Sequence, residues 1–450
     1  MSTIVFAMLP EAGHLYTSFG LAEKLRSRGH RIIYIGLPES EDVTRSKGFE
    51  FVRILGGLSS LIGTPDRSAG TDSVLRPGFF ESIDRMRRLN QQFFGYLFTS
   101  EIDALFSDLA PDLMIVDSAL PFFSLCAYRN GIKSICISVT LQERNLRIPP
   151  LTTSIVPRGD LISRLIVLWS WRWIFLRSFF SRNLFRLFGI DTDYVRLLKK
   201  LAQTADYPTE KINSITTLMP STGLPEMILC PQNFDYPREN TGCLKYIEPS
   251  ITIEESEIPF PWRRIDQNKS LIFCAFGSQS DLYDKHQEVF QTLINAIGKR
   301  SDLQLVIALG EKIDIHSFQN PFSNVVLVNW APYRSLLGKS SIMINHGGLG
   351  SIKHCIYFSV PLIVIPFGRD QPGNAARVDY HGIGLAADPN KVSESYLGTL
   401  INAIQEDPSY RTRINRMSQK FREIEEANDG VKVIERYSNF TLDEYRNWVQ

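Results

Sequence analysis

Cysteine is scarce and unpatterned in this sequence. The six residues are Cys126, Cys136, Cys230, Cys243, Cys274 and Cys355, with no C-x-x-C pair among them. That spacing gives no indication of a metal site, and several of the six lie in apolar runs, so reduced core thiols are the better reading than a disulfide framework. An excess of charge of one sign is also lacking. The net charge is +1, so there is no electrostatic case for a nucleic-acid partner. There is no internal repeat and no low-complexity tract. The opening MSTIVFAML has no basic leader and reads as a strand rather than a signal peptide, so a cytoplasmic protein is expected. What remains is a chain of 450 residues, 44% hydrophobic, long enough for two or three domains and too apolar for global disorder.

The most informative stretch is Trp330 to Arg377. Ser341 to Asn345 is a short apolar run suited to a buried parallel strand, and it feeds His346-Gly347-Gly348-Leu349-Gly350-Ser351. Ile352, Ile356 and Tyr357 then fall on one helical face. Glycines at a helix N-terminus let backbone N–H groups close on an anion, and the helix dipole favours negative charge there. A phosphate or diphosphate is the expected guest. Leu362 to Ile365 is a second strand, ended by Pro366 before Asp370-Gln371, whose acceptor and donor atoms suit sugar hydroxyls.

The N-terminus repeats this architecture. Thr3 to Leu9 reads as a strand, Leu15 to Arg28 as a helix stopped by Gly29, and Arg31 to Ile35 as the next strand. His14 is thereby placed at the carboxyl end of the first strand. Pro111 to Val116 leads in the same way to Asp117. Alone, such a histidine or aspartate is more often a cap or turn residue; two in matching strand-end contexts suit a base and its orienting carboxylate.

In order, W-x-P, HGG-x-x-S, V-P-x-x-x-x-P and DQ-x-x-NA-x-x-V closely resemble the donor signature of family 1 nucleotide-sugar glycosyltransferases of GT-B fold, two Rossmann-like α/β domains facing a cleft. The resemblance implies His14 as general base and Asp117 as its partner. It implies diphosphate contacts from Gly277 and Ser278, which follow the LIFCAF strand, and from His346, Gly348, Leu349, Gly350 and Ser351. Trp330 and Ala331 would meet the nucleobase, although a core tryptophan is the competing reading of Trp330. Asp370 and Gln371 would hold the sugar. The implied reaction is inverting and metal-independent, with no cofactor beyond a nucleotide-sugar co-substrate, UDP-glucose being favoured. An epimerase of the same fold and a non-catalytic nucleotide-sugar-binding or membrane-recruitment protein are the rival classes.

Three departures bear on the nucleotide. Many members place a glutamate eight residues after the HGG histidine to grip the ribose hydroxyls of UDP, where this chain has His354. Tyr333 stands where W-x-P-Q has glutamine, and Leu349-Gly350 replaces a Trp-Asn pair. The pattern is nearest to the branch acting on sterols and antibiotics, where both UDP- and TDP-sugars occur.

The expected organisation is an acceptor-binding domain over 1–231, a linker over 232–270, a nucleotide-sugar domain over 271–430, and a C-terminal helix in 431–450 returning to the first domain. Within the first domain, Leu161 to Ile190 holds three tryptophans, five arginines and no acidic residue. Its longest uncharged apolar run, Leu165 to Trp171, is far short of the ~20 residues that span a membrane. It reads either as a pair of helices lining an acceptor cleft or as a basic aromatic helix lying in a bilayer interface, on the inner membrane face. Both readings imply a lipophilic acceptor.

Overall fold

The computed structural model describes residues 1–54, 79–238, 243–251, 258–277, 280–283 and 285–449. Ser278, one of the expected phosphate contacts, lies outside them, as do parts of the 232–270 stretch.

The apolar runs form two wholly parallel sheets. The first contains β1 (Thr3–Ala7), β2 (Arg31–Gly36), β3 (Glu50–Arg53), β4 (Leu113–Asp117), β5 (Ser134–Ser138), β6 (Glu226–Ile228) and β7 (Leu244–Tyr246), in the order β3-β2-β1-β4-β5-β6-β7. The second contains β8 (Ser270–Ala275), β9 (Leu303–Ala308), β10 (Val325–Val328), β11 (Ile342–Asn345), β12 (Leu362–Val364) and β13 (Gly384–Ala386), in the order β10-β9-β8-β11-β12-β13. Helices cover both faces, so strands such as β4 and β11 are buried along their whole length, as parallel strands must be. This is the two-domain α/β arrangement of a GT-B fold.

The strand orders decide where ligands can sit. In each sheet the order reverses at one point, between β1 and β4 and between β8 and β11. Connections leaving neighbouring strands there run to opposite faces and open a crevice at the carboxyl ends.

Three sequence expectations need adjusting. The 232–270 stretch is more than a linker, because Leu244–Tyr246 within it pairs with β6 as the last strand of the first sheet. The helix after β1 begins at Ala12, so His14 sits in its first turn rather than in a loop. Leu161–Leu187 is one continuous helix of 27 residues, not a pair, since no Gly or Pro interrupts it.

The C-terminal helices Asp429–Ser438 and Leu442–Val449 lie against the first sheet. Val431, Ile434, Tyr437 and Tyr445 join its core, Tyr445 Oη donates to Ser134 O at 2.8 Å, and Arg28 pairs with Glu435 at 2.9 Å. Buried charges tie the lobes together more tightly. Asp235 accepts from Arg377 Nε at 2.8 Å and also from Arg238 and Tyr246. Burial would raise its pKa, but Arg377 and Arg238 outweigh that and hold the carboxyl below its usual value.

Candidate active site between the two lobes

Because β1 and β4 are neighbours, the residues leaving their ends meet. His14 Nδ1–H donates to Asp117 Oδ2 at 2.7 Å. Asp117 is completely buried and also accepts from the backbone N–H of Leu9 at 3.2 Å and of Ala119 at 2.9 Å. Those donors fix the carboxylate, and the carboxylate fixes the imidazole tautomer, leaving Nε2 as the free base. Burial works against protonation of His14, yet Asp117, followed by Glu11 and Asp370, raises its pKa above the ordinary value. The influence is mutual. Burial raises the pKa of Asp370, while a hydrogen bond from Asn374 and the charge of His14 oppose that rise. The histidine of one lobe and the aspartate of the other therefore share one electrostatic environment across the cleft.

At the second switch point the expected glycine turn is present and its tightness has a steric cause. The His346 ring lies between two glycines. A Cβ on Gly277 would stand 3.0 Å from its Cε1, and one on Gly348 would stand 2.6 Å from its Nε2. Burial, with Arg369 nearby, pushes the His346 pKa down to about 4, so the ring is neutral near pH 7. Its Nδ1 is buried without a hydrogen-bond partner. Gly348 is the N-cap of the helix Leu349–Tyr357, so Leu349, Gly350 and Ser351 form the first turn, where backbone N–H groups lack helical acceptors. Neutral imidazole, free N–H groups and a helix N-terminus together are chemically suited to an anion such as a diphosphate.

The polar loop after β12 is organised by its own side chains. Gln371 is 3% exposed; its Oε1 accepts from the N–H of Phe367 at 2.8 Å and of Gly368 at 3.2 Å, and its Nε2 donates to Tyr283 Oη at 2.9 Å. Sequence reasoning placed Asp370 and Gln371 together on a sugar, whereas here the Gln371 amide shapes the loop and Asp370 presents the carboxylate. Asn374, part of the DQ-x-x-NA pattern but not singled out from sequence, bridges Gly347 O and Asp370 Oδ2, both at 2.9 Å. Tyr283 was also missed: it stacks on Phe367 at 4.7 Å and faces His346, and nothing in its local sequence marked it. Arg369 reaches across the cleft to Glu11 at 2.6 Å.

Trp330 is 53% exposed, so it is not a core residue, while the adjoining Ala331 is buried. His354 Nδ1–H donates to Gly350 O at 2.8 Å, and its ring meets Tyr333 edge-on at 5.8 Å. Gly350 and His354 form one wall of a cavity of about 510 Å³, whose other wall is Tyr16, Thr17 and Arg26 of the first lobe. A second cleft, of about 330 Å³, opens just beyond Asp117 and is mainly apolar, with Asn90 among Phe93, Phe94, Leu120, Phe122 and Tyr194 in its lining. None of its lining residues comes from Leu161–Leu187, so that helix does not form this cleft.

The chain is similar to several known proteins. Residues 291–427 match the family model described as erythromycin biosynthesis protein CIII-like, C-terminal domain. A relative named uncharacterized UDP-glucosyltransferase YdhE, from Bacillus subtilis (strain 168), is 25% identical over 56% of this chain and 62% of its own length. The chain spans only 62%, 42% and 48% of the first three curated relatives it matches. The solved glycotransferase of kitacinnamycin superposes with a TM-score of 0.67 at 19% identity, covering 97% of this chain and 98% of its own. The glycosyltransferase VinC, solved in complex with DTDP, does so with a TM-score of 0.63 at 16% identity, covering 97% and 99%. The HGG-x-x-S and DQ-x-x-NA signature stands at a sheet reversal of a GT-B fold, and the chain is thus similar to glycosyltransferases in its C-terminal domain and in its overall fold.

Proposed function

We propose that this protein transfers a hexose from a nucleoside-diphosphate sugar to a hydroxyl group of a lipophilic natural product, with inversion at the anomeric carbon. The observation that carries the reading is the His14–Asp117 pair, held at 2.7 Å at one switch point and electrostatically coupled to Asp370 at the edge of the other.

The acceptor lies in the apolar cleft beyond Asp117, with its hydroxyl toward His14. Nε2 takes the hydroxyl proton as the oxygen attacks the anomeric carbon, a contribution of about 10²–10⁴-fold for a positioned base. Asp117 stabilises the imidazolium that results. The bond from the anomeric carbon to the phosphate oxygen breaks on the opposite face, and the departing diphosphate is stabilised by His346 and the first-turn N–H groups of Leu349–Tyr357 without a metal. Asp370 accepts from sugar hydroxyls, in a loop that Gln371 and Asn374 hold in shape. Trp330 stacks on the base over Ala331, and the ribose faces His354.

UDP-glucose is the favoured donor and a TDP-sugar the alternative, since a histidine at 354 does not require a 2′-hydroxyl. Six cysteines, all free, suit action in the cytoplasm. Incubation with UDP- and TDP-hexoses and a panel of hydrophobic alcohols, read by mass spectrometry, should give a hexose increment on at least one alcohol. Its absence, with no stabilisation by any nucleotide sugar, refutes the proposal.

A further inference from the structure

The helix Leu161–Leu187 is attached to the protein by one stripe and leaves the rest of its circumference bare. Ser163, Val167 and Trp171 are its buried residues, and Trp171 Nε1–H donates to Ile148 O at 2.8 Å. At about 100° per residue, Leu165, Trp169, Leu176 and Leu187 project almost directly opposite Val167, with Ile162 and Phe180 beside them. All six are exposed, and Trp169 and Trp173 are each 66% exposed. A single exposed leucine is ordinary, but a run of exposed apolar side chains along this face, with Arg172 and Asn183 the polar residues on it, marks an interaction surface.

The charges specify the partner. Arg164, Arg182 and Arg186 flank the bare face on one side and Arg177 on the other, while Arg172 lies over the Trp169 ring at 5.8 Å. Residues 161–190 contain no Asp or Glu. Among the described residues no helix is long and apolar enough to cross a membrane, and five arginines spread along this one oppose a spanning position. Arginines flanking an aromatic face instead suit a helix lying in the plane of an anionic bilayer, with rings at headgroup depth and guanidinium groups reaching the phosphates.

We infer that Leu161–Leu187 docks this protein on an anionic lipid surface. The inference rests on the helix alone and holds or fails independently of the transferase reading.

Flotation of the purified full-length protein with vesicles tests it. The protein should float with phosphatidylcholine–phosphatidylglycerol vesicles and bind phosphatidylcholine alone at least ~10-fold more weakly, with binding reduced by added salt. Replacing Trp169 and Phe180 together by Ser should weaken binding at least ~10-fold, with the circular dichroism spectrum unchanged because both side chains are exposed. Changing Arg177 and Arg182 together to Gln should remove much of the preference for the anionic vesicles. The inference is overturned if wild type does not float at low salt, or if the Trp169/Phe180 variant floats as well as wild type. It is equally overturned if size exclusion shows a dimer that this variant dissolves while neither protein binds vesicles, since a second copy would then cover the face.

Discussion

His14 and Asp117 are 103 residues apart in sequence and 2.7 Å apart in space, because β1 and β4 are adjacent where the strand order of the first sheet reverses. Replacing His14 by Ala should lower kcat for transfer by about 10²–10⁴-fold. Slow donor hydrolysis should persist in this variant, because nothing at the diphosphate turn has changed. Asp117→Asn keeps the side-chain shape but removes the charge behind the ring, and should also lower kcat without preventing nucleotide binding. Steady-state kinetics beside nucleotide titration separate the two effects.

The pH profile should carry the signature of the same pair. Burial disfavours the imidazolium, but Asp117, Glu11 and Asp370 together raise the His14 pKa above 6.5. With the neutral ring as the proposed base, kcat/KM should fall as pH drops through that raised value, with the acid limb above pH 6.5. In Asp117→Asn the limb should move to lower pH. The linked stability has the opposite direction. The protonated ring stabilises the fold fully below the ordinary value, and this contribution fades as pH rises through the folded one.

Gly348 is required by its neighbour. A Cβ there would stand 2.6 Å from His346 Nε2, so Gly348→Ala must displace the ring. Overpacking of this kind costs about 1–3 kcal/mol, and if the displaced ring is a diphosphate ligand, nucleotide affinity should fall by roughly 10–100-fold on the same energy scale. Calorimetric titration against Gly398→Ala, where an added Cβ meets nothing within 4 Å, checks this.

His354 should govern nucleotide preference. With the ribose placed as proposed, a carboxylate at this position would accept from both hydroxyls, whereas a histidine cannot. His354→Glu should therefore shift the preference toward UDP over TDP, whose sugar lacks the 2′-hydroxyl. A hydrogen bond to a charged group is worth about 1.5–3 kcal/mol, or roughly 10–150-fold. Paired dissociation constants for UDP and TDP provide the readout.

Asp235 should be the most sensitive stability site between the lobes. Asp235→Asn leaves Arg377 and Arg238 buried without their counter-charge, and breaking such a buried pair costs about 3–5 kcal/mol. Because the Asp235 pKa is held below its usual 3.8, the wild-type contribution is present above that value and lost as pH falls through the folded one. Denaturant unfolding of the two proteins at neutral and acidic pH measures both effects.

Local patterns revealed much of this architecture. The apolar runs around Ile4, Ile115, Phe273 and Ile344 could only be buried strands, and the glycines following His346 could only be a tight turn. Tyr283 and Asn374 were harder to assign, because their importance depends on which strands become neighbours. For Leu161–Leu187 the sequence left a pair of helices and one basic aromatic helix as equal readings, and the single helix is what forms. The role of Leu244–Tyr246 was hidden because a three-residue strand in a polar, proline-bearing stretch carries almost no periodic signal.

The most direct test of the transfer chemistry compares wild type with His14→Ala in one reaction containing a nucleotide sugar and a hydrophobic alcohol, following free nucleoside diphosphate and glycoside together. Wild type should release the two in equal amounts, while His14→Ala should release diphosphate slowly with almost no glycoside. Near-normal glycoside formation by His14→Ala would contradict the account.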